Sequence, residues 1–215
     1  MPRRNYFIFA GEASGDLHGS KLIQALLTID STTSIWGVGG PRMQQEHFSC
    51  FISMEQFQVM GFTAVLKALP RLVRLFYQIR NEIIKKQPDV VILIDYPGFN
   101  LRLARSLRRH GYSGKIVQYI CPSVWAHGKN RIQCLATHYD LLLTIYPFES
   151  QYFLNTTLSI KYVGNPIEEN VRTCLFQSNW RESCGFYREP RQKDKYIEQF
   201  CLNSRDVAMS EPNVN

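Results

Sequence analysis

The chain has 215 residues, 45% hydrophobic and 20% charged, enough apolar surface to bury a core and too much for a disordered polymer. Its formal net charge of +7 suits anionic partners such as phospholipid headgroups, phosphorylated substrates or nucleic acid, without choosing among them. There is no window of 18 apolar residues, so nothing reads as a membrane span, and the apolar run over residues 6–10 is too short for a secretory signal. Six cysteines, Cys50, Cys121, Cys134, Cys174, Cys184 and Cys201, are scattered without C-x-x-C pairing and read as reduced thiols in place of a disulfide or zinc framework. A cytoplasmic protein is expected.

In chain order, the apolar residues 6–10 predict a strand, residues 11–16 a tight loop and residues 17–27 a helix. Further strands are expected at residues 34–38, at 89–95 ahead of a helix over 101–109, at 115–120 and at 141–145, with a later strand exit near Tyr162. Continuously apolar strands alternating with helices predict an α/β fold with a mainly parallel sheet and helices on both faces.

Between the second and third of these strands, Val65, Leu69, Leu72, Val73, Phe76, Ile79 and Ile83 fall within an arc of about 120° at helical periodicity, with Lys67, Arg71 and Arg74 opposite. Pro70 predicts two helical pieces, the longer starting near it. The segment reads either as a packed helix with a solvated basic back or as a membrane-surface element. From about residue 173 the apolar runs stop, and the last 43 residues hold six basic and six acidic side chains, so the whole positive charge belongs to residues 1–172. Residues 173–215 are expected to be an atypical, weakly structured tail.

Five stretches place polar groups at strand exits. Ala10-Gly11-Glu12-Ala13-Ser14-Gly15-Asp16 follows the first strand and opens a helix, where backbone N–H groups can hold an anion; alternatively the glycines make the turn and Ser14 or Asp16 caps the helix. It is neither G-x-G-x-x-G nor a Walker A loop. Asp95, closing the strand at 89–95, suits a general base, or else a cap for the next helix. Ser123, Trp125 and His127 share one loop, with Ser123 alternatively a helix cap. A Ser123–His127–Asp95 hydrolase triad lacks the G-x-S-x-G elbow it would need. Glu149 and Asn165 close the later exits.

Taken together, residues 10–16, the run Gly37-Val38-Gly39-Gly40-Pro41-Arg42-Met43, Ile94-Asp95-Tyr96-Pro97-Gly98-Phe99-Asn100, Pro122-Ser123-Val124-Trp125-Ala126, Pro147-Phe148-Glu149 and Val163-Gly164-Asn165-Pro166 resemble the lipid-A-disaccharide synthase family in order and spacing. The resemblance covers residues 5–172. It implies a Rossmann-like domain, residues 1–172, equivalent to the acceptor-binding half of a GT-B glycosyltransferase that joins UDP-2,3-diacylglucosamine to 2,3-diacylglucosamine 1-phosphate (lipid X), with inversion and without a metal or other cofactor. It further implies Asp95 as the base, Gly11, Ser14, Gly15 and Asp16 shaping the acceptor side of the cleft, and Ser123, Trp125, Glu149 and Asn165 lining it. Lys67, Arg71 and Arg74 would face the inner surface of the bacterial inner membrane.

Two departures from the family pattern stand out. After Pro166 no second, UDP-sugar-binding domain is recognisable, so activity of this chain alone is expected to be impaired, with a separately encoded half or self-association as remedies. His127 stands where many members carry tryptophan. The rival readings are a non-catalytic lipid-binding module at the membrane surface and a nucleic-acid binder, the latter without a supporting motif.

Overall fold

The computed structural model describes residues 4–58, 62–124 and 129–165. Seven strands, β1 (Asn5–Ala10), β2 (Ser34–Gly39), β3 (Ser49–Ser53), β4 (Val90–Ile94), β5 (Lys115–Tyr119), β6 (Leu141–Thr144) and β7 (Ser159–Tyr162), form one sheet in the order β3-β2-β1-β4-β5-β6-β7. Every pairing is parallel. The helices are α1 (Ala13–Ile29), α2 (Pro41–Gln44), α3 (Phe62–Lys86), α4 (Pro97–Arg109) and α5 (Lys129–His138).

The period-2 alternation of strand side chains sorts the core into two layers. Phe7, Phe9, Val91, Leu93 and Ile116 pack on one face with Leu75, Ile79 and Ile83 of α3, Leu103 and Leu107 of α4 and Leu135 of α5. Tyr6, Ile8, Ala10, Ile92, Ile94 and Val117 pack on the other with Ile23 of α1 and Met43 of α2. Strands covered on both faces have no solvated side, which is why β1 and β4 are apolar without interruption. The expected Rossmann-like, doubly covered sheet is therefore present, and it is wholly parallel.

One strand was not anticipated, and the reading of α3 is corrected in two respects. β3 had no signal, because its sequence Ser-Cys-Phe-Ile-Ser mixes polar and apolar residues at an edge where only Ile52 is fully buried. α3 is one continuous helix through Pro70; Pro70 is exposed, where water can hydrate the carbonyl left without a helical donor. The buried stripe of α3 is Leu75, Ile79 and Ile83, whereas Leu69, Val73 and Tyr77 are exposed. The apolar surface of this helix is thus wider than a core contact needs, and part of it faces away from the core. The expected tail, residues 173–215, lies outside the described residues.

One glycine is indispensable to the sheet. Gly37 has φ +144°, and a Cβ there would lie 2.1 Å from the carbonyl oxygen of Ile8 on the adjoining strand. Gly37→Ala must push β1 and β2 apart; a loss of about 3 kcal/mol is expected in urea unfolding followed by circular dichroism.

Candidate functional site

In an open parallel sheet the crevice lies beyond the carboxyl ends of the strands where the order reverses, here between β1 and β4. The register aligns Ala10 with Ile94, Ile94 with Tyr119 and Tyr119 with Leu143, so Gly11, Asp95, Ile120 and Thr144 follow one another along that edge. Three residues there have left-handed backbone, Asp95 (φ 46°), Tyr96 (φ 49°) and Ile120 (φ 71°). None is glycine, and such conformations persist only where their surroundings impose them.

A cleft of about 650 Å³ opens at this switch point. Glu12 and Asp95 lie at its polar end, while Leu69, Leu72, Val73, Phe76 and Tyr77 of α3 and Phe99 of α4 supply apolar walls. Arg102 also lines it, its guanidinium donating to the Gly98 carbonyl at 2.5 Å. An aromatic cluster packs around Phe99: Phe9 stacks on it with centroids 4.7 Å apart, and Phe57 and Phe76 meet it edge-on at 5.4 and 5.5 Å. The Tyr96 hydroxyl donates to the Phe57 carbonyl at 3.3 Å, tying this turn to the end of the segment after β3.

The electrostatics of the cleft bear on Glu12. Partial burial, and then the facing charge of Asp95, hold the Glu12 carboxyl above its ordinary range. His18 of α1 is buried with its Nδ1 unpartnered among the described residues, its ring 6.1 Å edge-on from that of Tyr119. Burial holds its pKa down against the opposing pull of Asp95, with Lys21 adding to the depression, so it is a neutral imidazole at neutral pH. The Asp95 carboxylate does not cap the next helix: α4 starts from Tyr96 without a side-chain cap. A carboxylate left out of helix capping, at a cleft and beside a second acid, can accept a proton from a bound hydroxyl.

The sequence-predicted residues divide between cleft, fold and neighbouring edge. Gly11 is buried between rings, its Cβ position 3.2 Å from Phe9 and 3.3 Å from Tyr96. Gly15 lets α1 approach the sheet, with a Cβ there 3.3 Å from that of Ala10. Ser14 is exposed in the first turn of α1. Neither Ser14 nor Asp16 caps α1, which begins from Glu12 without a side-chain cap. Asp16 is buried and caps α2 instead, accepting from the backbone N–H groups of Gly40 (2.7 Å), Arg42 (3.0 Å) and Met43 (3.1 Å).

Ser123 and Asn165 are half-buried beyond β5 and β7, and none of Ser123, Glu149 and Asn165 lines the β1/β4 cleft. Glu149 is fully buried; its Oε2 accepts from the Tyr146 N–H at 3.2 Å while Oε1 has no partner among the described residues. Burial raises its pKa above the usual carboxylate range against backbone hydrogen bonds that lower it. Burial first, and then the Glu149 charge, push the Cys121 thiol up to about 12, which leaves it unreactive. Arg71 and Arg74 are exposed on α3. Trp125, His127 and the side chain of Lys67 lie outside the described residues.

Sequence reasoning missed Glu12 as a partner of Asp95, His18, and α3 as the cleft wall. Glu12 sits inside a quoted motif, but only the β1–β4 pairing brings it to Asp95.

The model of the lipid-A-disaccharide synthetase family matches residues 6–196. The chain belongs to this family. Among curated members, the lipid-A-disaccharide synthase of Chlamydia pneumoniae is 46% identical over 176 residues, 82% of this chain and 29% of that protein. That of Chlamydia abortus is 38% identical over 186 residues, 86% and 30% of the two chains, and that of Geobacter sulfurreducens 39% identical over 178 residues, 83% and 46%. The chain thus spans about three-tenths to under half the length of these family members. The matched region includes the β1–β4 cleft and every candidate site residue.

Proposed function

We propose that residues 4–165 form the acceptor-binding half of an inverting GT-B hexosyltransferase of lipid A synthesis. The observation that carries this reading is the continuity of the cleft: two carboxylates at a sheet switch point open directly into an apolar trough walled by Leu69, Leu72, Val73 and Phe76. An acylated sugar has that division, with hydroxyls for the polar end and acyl chains for the trough. Lipid X places its 6-hydroxyl at Asp95, which takes the proton as the oxygen attacks the anomeric carbon of UDP-2,3-diacylglucosamine. The bond from that carbon to UDP breaks on the opposite face, its electron pair leaving with UDP, and a β-1′,6 linkage results. Charge stabilisation at the departing UDP comes from groups outside residues 4–165. The reaction is expected to need no metal or other cofactor.

The test is equilibrium binding of lipid X in detergent micelles together with radiolabelled disaccharide synthesis, with the chain alone and complemented by the remainder of a full-length relative. Saturable binding with turnover only on complementation is the expected result. Binding that never leads to turnover would leave a non-catalytic lipid-binding module, and no binding would refute the reading.

Access to acylated substrates places this half at the inner surface of the inner membrane. No helix among the described residues is long and apolar enough to cross a bilayer; α3 carries the exposed apolar residues Leu69, Val73 and Tyr77 on the cleft wall, and Arg71 and Arg74 are exposed on the same helix. Basic residues near an anionic surface contribute about 1 kcal/mol each. Arg71→Glu combined with Arg74→Glu should therefore weaken binding to phosphatidylglycerol vesicles roughly 30-fold or more at low salt in a sedimentation assay. Unchanged binding would place the membrane contact elsewhere.

A further inference from the structure

Two buried amides stand behind the turn that carries Asp95. Asn100 of α4 donates its Nδ2 hydrogens to the carbonyl of Asp95 and, at 3.4 Å, to that of Ile94. Gln118 of β5 donates its Nε2 to the same Asp95 carbonyl at 3.3 Å, to Ile120 at 3.1 Å and to Tyr119 at 3.5 Å. Asn100 Oδ1 and Gln118 Oε1 have no partner among the described residues. Turning either amide over would set its oxygen against main-chain carbonyl oxygens, so the carbonyls dictate both orientations.

The backbone these amides hold is the left-handed set at Asp95, Tyr96 and Ile120. No glycine lowers the cost of that conformation, and a β-branched residue at φ 71° is costlier still. Neither Asn100 nor Gln118 lines the cleft, so any influence on it passes through the turn. Both leave a buried acceptor unpaired, a cost that a purely packing role would avoid with leucine or methionine.

We propose that Asn100 and Gln118 are positioning residues that lock the left-handed Asp95–Tyr96 turn and thereby present the Asp95 carboxylate to the cleft beside Glu12. The inference rests on the proposed function only for the use made of that carboxylate; the placement can be tested without any substrate.

The experiment is a carboxyl-selective ¹³C NMR titration of Glu12 in the full chain. Glu12 titrates high in part because the Asp95 charge faces it, so the Asp95→Asn variant calibrates how far its midpoint falls when that charge is lost. Gln118→Met and Asn100→Leu keep side-chain bulk and remove the donors. Each should lower the Glu12 midpoint by a large part of the Asp95→Asn drop, and the double variant by nearly all of it. A fall in melting temperature with an unmoved Glu12 midpoint would show a merely structural role and overturn the proposal. Should the variants not fold, the wild-type chain decides: slowly exchanging side-chain amide protons of Asn100 and Gln118, coupled across hydrogen bonds to the Asp95 carbonyl, are expected, and rapid exchange without coupling contradicts the proposal. Failure of lipid X to bind would refute the functional reading and leave this result untouched.

Discussion

Asp95→Asn is expected to lower disaccharide synthesis by about 10²- to 10⁴-fold, the range a positioned general base contributes, while lipid X binding stays within a few-fold of the unaltered chain. The amide is nearly isosteric, so the turn, its hydrogen bonds through the main-chain carbonyl of Asp95 and the apolar trough are all retained. What disappears is the atom that accepts the proton. A radiolabelled turnover assay on the complemented chain, with binding measured in parallel, separates the two effects. Loss of binding and turnover together would make Asp95 an acceptor contact; retained turnover would transfer the base to another group, with Glu12, on the same cleft wall, the first to examine.

The second large effect concerns stability. Asp16→Ala removes the one acceptor shared by the N–H groups of Gly40, Arg42 and Met43. Hydrogen bonds to a charged group contribute about 1.5–3 kcal/mol each and do not add fully, so a loss of about 3–5 kcal/mol is expected. Asp16→Asn keeps one acceptor oxygen for Gly40 and Met43 and should cost about 1–2 kcal/mol. Space offers no substitute: a Cβ at Gly40 would lie 2.6 Å from Asp16 Oδ2, so loop and carboxylate are fitted to each other. Urea denaturation of the three chains measures this. A change below about 1 kcal/mol for Asp16→Ala would mean that water replaces the carboxylate without penalty.

Legibility from sequence followed the range of the interactions. β1, β4 and β6 were readable because burial on both faces leaves a continuous apolar run, and Asp95 was readable because it closes such a run. The exposed half of α3 was not: Leu69 and Val73 share the helical periodicity of Ile79 and Ile83, and periodicity cannot say whether an apolar stripe meets the core or a cleft. The cap that Asp16 provides to α2 lies 24 to 27 residues away, beyond any local capping pattern. The same holds for Glu12 and Asp95, which only the β1–β4 pairing brings to one crevice, and for Gln118, a polar residue inside a strand whose partners are carbonyls of neighbouring turns. Family resemblance located the motifs that carry these groups; the division of labour within a motif, with Asp16 serving the fold and Glu12 the cleft, follows from tertiary structure.

The most direct test of the acceptor cleft is equilibrium binding of lipid X to the full chain and to its Phe76→Asp and Asp95→Asn variants. Phe76 lines the trough and is only partly buried, so a carboxylate there charges the acyl-chain path without emptying the sheet core. Saturable binding to the unaltered chain and to Asp95→Asn, lost at least tenfold in a folded Phe76→Asp chain, is the predicted result. Equal binding to all three would contradict a cleft that receives an acylated sugar.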